Sequence, residues 1–318
     1  MTSPTGSRTV LTQTLSTPPI VTEGDLGGNA ASFALHLRAA NKAPRTQATY
    51  MEAIRGFARY LEAQGMPRNV AAIRREHVEA WIVHLLETSK TATAANRFRS
   101  LQQFWKWAVE EGEITVSPMS KMKPPTILDE AAPVLTDAQL RALISACEGP
   151  DFDERRDMAI IRTFVGSGIR LAELTGLTAN DVDLVAQELH VMGKGRRPRR
   201  VEVGAKAARA IDRYLRSRGR HAHHDSPSLW IGERGGMTVS GIAQLIRRRG
   251  DQAGIEGLHP HLLRHSWAHG VLAADMGDGN IMALAGWKDP GMLRRYARAT
   301  AADRAIAASR RLNPADRL

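Results

Sequence analysis

Cysteine is nearly absent: one residue, Cys147, stands in a chain of 318. A disulfide within the chain is excluded, and a cysteine-based zinc site lacks its ligands. Ile144-Ser145-Ala146-Cys147 lies in a helical apolar pattern. It reads as a core thiol rather than a nucleophile, and the usage suits a reducing cytoplasm. No apolar run approaches the roughly 20 residues that a bilayer span needs. The first residues are rich in Thr and Ser and lack the charged-then-apolar layout of a secretion signal, so a cytoplasmic location without membrane attachment is expected. Aromatic residues make up only 5%, with six Trp and four Tyr. Acidic residues are also in short supply, 33 against 44 Lys and Arg, which leaves a formal charge of +11. That balance suits a polyanionic partner: DNA, RNA or an anionic membrane surface. A generally basic protein without such a partner is the plainer alternative.

The length accommodates two domains, and a hydrophobic share of 43% provides a core for each. Residues 1–27, with many Thr, Ser, Pro and Gly and no apolar period, read as a flexible arm. Residues 28–116 read as a small helical domain of about four helices. In it Tyr50, Ile54, Phe57, Ala58 and Leu61 share one stripe of a helix over 49–64, and Phe98, Leu101, Phe104, Trp105 and Ala108 share another over 94–109. Pro118, Pro124, Pro125 and Pro133 mark residues 117–134 as an extended linker. Residues 135–318 form a second domain, mostly α. Its strand candidates, 188–192 and 200–203, flank a basic turn, and a helical pair closes the chain at 294–311. The fold class expected is mainly α with one small antiparallel sheet, in two domains.

Four stretches of the second domain carry chemistry, and each has an ordinary reading by itself. Gly193-Lys194-Gly195-Arg196-Arg197-Pro198-Arg199-Arg200 packs five cations into eight residues, with glycines that let backbone approach a ligand; it could equally be a solvated hairpin tip. In Gly166-Ser167-Gly168-Ile169-Arg170-Leu171-Ala172-Glu173-Leu174, Arg170 opens a helix and shares a face with Glu173, which could be a surface ion pair. In His259-Pro260-His261-Leu262-Leu263-Arg264-His265, His261 and Arg264 share a face, either solvated or placed for a phosphate. Tyr296 follows Gly286-Trp287 by nine residues among Arg294, Arg295 and Arg298, an unusual setting for a core phenol. The other tyrosines, Tyr50, Tyr60 and Tyr214, lie in ordinary helical patterns.

In this order and spacing, Arg170, Lys194, His261, Arg264, Trp287 and Tyr296 resemble the tyrosine recombinase and phage integrase family, in its Xer-like branch. The resemblance covers nearly the whole chain, the helical first domain being similar to the family's core-binding domain. Two departures stand out. Position 287, His in many members, is Trp here, which resembles the phage recombinase Cre, and Met292 and Leu293 stand where a Thr often precedes the nucleophile.

The resemblance implies an enzyme that cleaves and rejoins DNA at a specific site through a 3′-phosphotyrosyl link, for integration, excision or resolution of DNA elements. Tyr296 would be the nucleophile. Two planar guanidinium forks, Arg170 and Arg264, would match charge developing on the phosphate oxygens. A phenol near pKa 10 needs a cation or a base to attack, a part that falls to His261. Lys194 would protonate the leaving 5′ oxygen, and Trp287 would add an N–H donor. Glu173 would orient Arg170 or His261, and His265 would support the fold. Arg196, Arg197, Arg199, Arg200, Arg247 and Arg248 are candidate phosphate contacts, with Arg216-Arg218-Arg220 and Arg247 to Arg249 as basic tracts; a solvated face is the alternative for each. The two domains would clamp duplex DNA, with four protomers joining two sites, the tail from Ala301 docking on a neighbour, and an accessory directionality factor as a further partner.

No metal or cofactor is implied. His261, His265 and His269 have metal-ligand spacing on a helix, but the Glu of a His-Glu-x-x-His site is missing, and His221-Ala222-His223-His224 reads as a solvated loop. Two rivals use the same fold: a catalytically silent DNA-binding regulator and a type IB topoisomerase-like enzyme. The intact Tyr296 and both arginines argue against the first. Relaxation of supercoils without a specific site would mark the second.

Overall fold

The computed structural model describes residues 25–127, 133–193, 197–274, 276–287 and 289–291, with 293, 305–306 and 309–310. The chain divides into two compact units, Met1–Leu128 and Asp129–Leu318.

The first unit holds α1 (Leu26–Ala39), α2 (Pro44–Ala63), α3 (Arg75–Thr88) and α4 (Thr91–Glu110). Pro44 sits in the first turn of α2, where its missing N–H and fixed φ cost nothing, so this helix begins ahead of the Thr49 that apolar periodicity suggests. The α4 stripe of Phe98, Leu101, Phe104, Trp105 and Ala108 is buried, joined by Trp107. Phe104 lies edge-on to Phe33 at 5.6 Å and to Trp105 at 5.1 Å, geometry that favours aromatic pairs beyond their area. This gives the unit one aromatic core.

The second unit contains α5 (Asp137–Ser145), α6 (Phe152–Ser167), α7 (Leu171–Thr175), a three-stranded sheet, α8 (Ala205–Arg218), a two-strand hairpin, α9 (Val239–Gln252), α10 (Pro260–Ala273) and α11 (Asp278–Ala285). Helix α6 packs against α5, α8, α9 and α10 and the sheet, and thus forms the centre of the unit. The sheet runs β1 (Val182–Asp183), β2 (Glu188–Gly193), β3 (Arg197–Glu202), all antiparallel. Strand β3 starts at Arg197, not at Arg200 as its apolar residues suggest. It is an edge strand, so Pro198, opposite Met192, removes no ladder bond that the sheet needs. The hairpin, β4 (Ile231–Gly232) and β5 (Gly235–Gly236), is too short to leave an alternating pattern.

Two arginines of the basic tracts turn inward. The Arg218 guanidinium donates to four backbone carbonyls of the following loop: Leu229, His224, Ser226 and Ser228, at 2.6–3.1 Å. It is 8% exposed, so it staples a loop instead of facing a phosphate. Arg218→Ala strips donors from those carbonyls and is expected to cost about 2–3 kcal/mol, measurable as a lower urea midpoint. Arg249 is likewise buried, donating to the fully buried Asp157 at 2.8 Å and to the Ala146 carbonyl. Asp157 also accepts from Arg156 and Arg248, so its burial is compensated on both oxygens.

Candidate active site

The site is assembled around the C-terminus of α11. Helix ends leave unpaired carbonyls that carry partial negative charge, and here three successive ones each accept from a different arginine. Arg199 Nε donates to the Leu284 carbonyl at 3.2 Å, Arg264 Nη2 to that of Ala285 at 2.6 Å, and Arg170 Nη2 to that of Gly286 at 2.7 Å. Gly286 ends the helix at φ +61°, a left-handed conformation that glycine adopts without strain. A Cβ there would meet Arg170 Nη1 at 3.0 Å and the Arg199 guanidinium at 3.3 Å.

Arg170 precedes the first turn of α7, and Glu173 closes that turn: the Arg170 backbone N–H donates to Glu173 Oε2 at 3.0 Å and its Nη1 to Oε1 at 2.9 Å. Arg199 approaches from β3 and clamps the same carboxylate with both η nitrogens, at 2.6 and 2.8 Å. Glu173 therefore orients Arg170, not His261, and holds Arg199 as well. Burial alone would raise its pKa, but hydrogen bonds from Arg199 and from the Arg170 backbone N–H place it below the ordinary carboxylate value.

Arg264, 4% exposed on α10, also donates through Nη1 to the Gly168 carbonyl, and its guanidinium carbon sits 5.4 Å from the Trp287 ring centre. Gly168 ends α6 at φ +57°. A Cβ there would stand 2.1 Å from the Trp267 ring, so the chain turns tightly enough to aim Arg170 and to offer that carbonyl. Trp287 is buried with Trp267, Ala268, Leu272 and Ile281.

His261 is exposed in the first turn of α10, one turn ahead of Arg264, and its ring lies 6.4 Å from that of His265. The helix is capped by His259, whose Nδ1 accepts from the Leu262 N–H at 3.1 Å. Burial, then the proximity of His261, lowers the His259 pKa, which keeps Nδ1 an acceptor. His259→Ala is expected to cost about 1 kcal/mol, as loss of a cap does. The cap is retained above the ordinary His value near 6.5 and weakens as pH falls through the lower folded value, which a pH series of thermal melts would show.

The structure thus brings together Arg170, Glu173, Arg264 and Trp287, with His261 one turn away. Lys194, Arg196 and Tyr296 lie outside the described residues, as does the side chain of Arg197. The reading of Arg199 as a phosphate contact is replaced: its fork is spent on Glu173 because position 199 shares the inward face of β3 with the buried Val201. Arg200, on the opposite face, is exposed and pairs with Glu188 at 3.3 Å. Arg247 is exposed, and Arg248 is half exposed while paired with Asp157 at 3.1 Å. His221 stacks on Phe152 at 4.3 Å, and among the described residues no three His, Cys, Asp or Glu side chains gather as metal ligands would. Also among the described residues, no helix is long and apolar enough to cross a membrane.

Residues 133–303 match the model of the phage integrase family, and residues 30–112 match that of the phage integrase N-terminal SAM-like domain. The chain is 32% identical to the tyrosine recombinase XerC of Chromohalobacter salexigens over 298 residues, 89% of this chain and 97% of that relative. It is 31% identical to the tyrosine recombinase XerD of Bifidobacterium longum, over 71% and 77% of the two chains. Among solved structures, XerH site-specific recombinase bound to palindromic difH substrate, in a post-cleavage complex, superposes with TM-score 0.71 at 17% identity, covering 85% of this chain and 81% of that one. A lambda integrase dimer bound to a core site gives TM-score 0.67 at 17% identity, over 84% and 97%. At those identities the solved structures establish the fold, while the sequence matches establish the relationship. The chain belongs to the phage integrase family and is a site-specific tyrosine recombinase.

Proposed function

We propose that this recombinase cuts and rejoins duplex DNA with Tyr296 as nucleophile and with Arg170 and Arg264 as the two cations that receive the scissile phosphate. The observation that carries this reading is the pair of guanidiniums fixed in place by adjacent carbonyls of one helix end. Such donors need no reorganisation when charge develops on the phosphate, which is what makes them effective. Among the described residues Arg170 spends two of its five side-chain N–H groups within the protein, and its side chain remains 32% exposed, open to a substrate.

In this scheme the Tyr296 phenol attacks phosphorus while its proton passes toward His261. The bond from phosphorus to the 5′ oxygen breaks as Lys194 protonates that oxygen. A 3′-phosphotyrosyl link remains, and a 5′ hydroxyl reverses the step on a second strand, so no ATP and no metal ion enter the balance. Trp287 supplies bulk and an indole N–H beside Arg264, but it cannot relay a proton as His would. The DNA-bound dimers and tetramers among its structural neighbours support four protomers on two sites, with the tail beyond Ala301 docking on a neighbour. An accessory directionality factor and a cytoplasmic location complete the proposal.

The test is covalent trapping on nicked duplexes with EDTA present, resolved on denaturing gels, followed by peptide mapping of the adduct. The adduct is expected on Tyr296 and absent from a Tyr296→Phe control. An adduct on another residue would mean a different nucleophile, and specific binding without an adduct would mean a silent regulator.

A further inference from the structure

A second cationic cluster lies in the same unit, and none of the residues lining it belongs to the catalytic set. A groove of about 820 Å³ is lined by α6, the segment that precedes it and one face of α8. Arg155 and Arg162 contribute from α6. Lys206, Arg209, Arg213 and Arg216 contribute from α8, where they recur at helical spacing over a run of about 15 Å. Two carboxylates share the wall, Glu148 and Glu154, and Glu154 is already engaged by the Asp151 backbone N–H at 3.1 Å.

Elsewhere on the surface some exposed cations stand beside carboxylates, as in Arg75–Glu79, Lys106–Glu110 and Arg200–Glu188, while others, such as Arg247, are scattered singly. Among the described residues, Arg216 pairs with Asp212 at 2.9 Å, and the other cations of the groove have no carboxylate within ion-pair distance. Like charges lining one concavity repel each other, and the unfavourable potential is relieved only by an anion. Most of these cations are arginines, whose planar forks match phosphate oxygens better than a solvated ammonium does.

We infer that this groove binds the phosphate backbone of DNA flanking the site that the same protomer cleaves. The inference rests on the recombination reading above. The flank is favoured over an unlinked duplex because a few phosphate contacts alone give dissociation constants of about 10⁻⁴–10⁻⁶ M, whereas DNA tethered to a bound site reaches the groove at a high effective concentration.

The experiment compares the full-length protein with a Lys206→Gln/Arg209→Gln/Arg213→Gln variant. These three side chains are exposed and make no ion pair among the described residues, so thermal melting is expected to match wild type. Binding is measured across a salt series on two duplexes containing the site mapped by covalent trapping, one limited to the core and one with both flanks. Wild type should bind the flanked duplex more tightly, and the variant should lose that gain, with its salt slope on the flanked duplex smaller by about 2.7 for three lost phosphate contacts. Covalent trapping on the core-only duplex should be equal in both proteins, which separates this inference from the recombination reading. It is overturned if the variant keeps the flank-dependent gain, if it loses affinity equally on the core-only duplex, or if an unlinked duplex competes as well as the flank.

Discussion

Arg264→Ala is expected to lower the rate of strand cleavage by about 10²–10³-fold, the effect of losing one preorganised donor to a developing oxyanion, if Arg264 receives the phosphate as proposed. Affinity for the uncut site should change far less, because the interaction is strongest in the transition state. Arg264→Lys is the more informative variant. It keeps the charge but removes the planar fork that the Gly168 and Ala285 carbonyls hold, and it takes away the flat cation that faces Trp287. Arg264→Ala also leaves the Gly168 and Ala285 carbonyls without a charged donor, at a cost of about 1.5–3 kcal/mol, and one ammonium in Arg264→Lys replaces a fork that reaches both, so cleavage should be compared well below the melting temperature. Single-turnover cleavage by Arg264→Lys at the wild-type rate would show that charge alone suffices and would remove Arg264 from the role assigned to it.

Glu173→Gln is expected to slow cleavage by about 10²-fold, the scale on which a misplacement of about 1 Å acts, with little change in DNA affinity. The substitution is nearly isosteric, yet all four hydrogen bonds to this carboxylate arrive from N–H donors of Arg170 and Arg199. A Gln amide would turn its own donors toward some of them and release the charge that gathers both guanidiniums. Arg199→Gln should act through the same clamp, so the double variant should cleave hardly more slowly than either single one. Independent, multiplicative losses would mean that the two residues serve different steps. The depressed Glu173 pKa fixes the sign of the pH effect. The clamp is intact above the usual carboxylate value and is lost as pH falls through the lower folded value. Wild type should therefore keep its cleavage rate into mildly acid solution, apart from the separate titration of other groups.

Much of this arrangement was legible in the sequence. Helical periodicity placed the aromatic stripe of α4, and spacing put Arg170 beside Glu173 and His261 beside Arg264. What could not be read was which donors meet across long sequence gaps: Arg199 lies 26 residues from Glu173 and 85 from Leu284. A signal did exist. Position 199 alternates with Val201 on one side of an edge strand, and an arginine at such an inward position needs a buried anion. Composition hid it, because Arg199 sits in a basic run whose other members read as solvent-facing. The same bias hid Arg218 and Arg249, since a cation-rich tract gives no indication of which member turns inward. His259 capping α10 escaped notice because His is not among the preferred capping residues.

Three long, flexible side chains would ordinarily wander through many rotamers before meeting a substrate. Here, besides Glu173 and the Gly168 carbonyl, all three share one anchor, the last turn of α11, which also leads into Trp287. The consequence is mechanical: Arg170, Arg199 and Arg264 cannot be retuned singly. Any displacement of that short helix misaligns all of them together, so the pocket responds to such a movement as a unit, much as a latch with one bolt does.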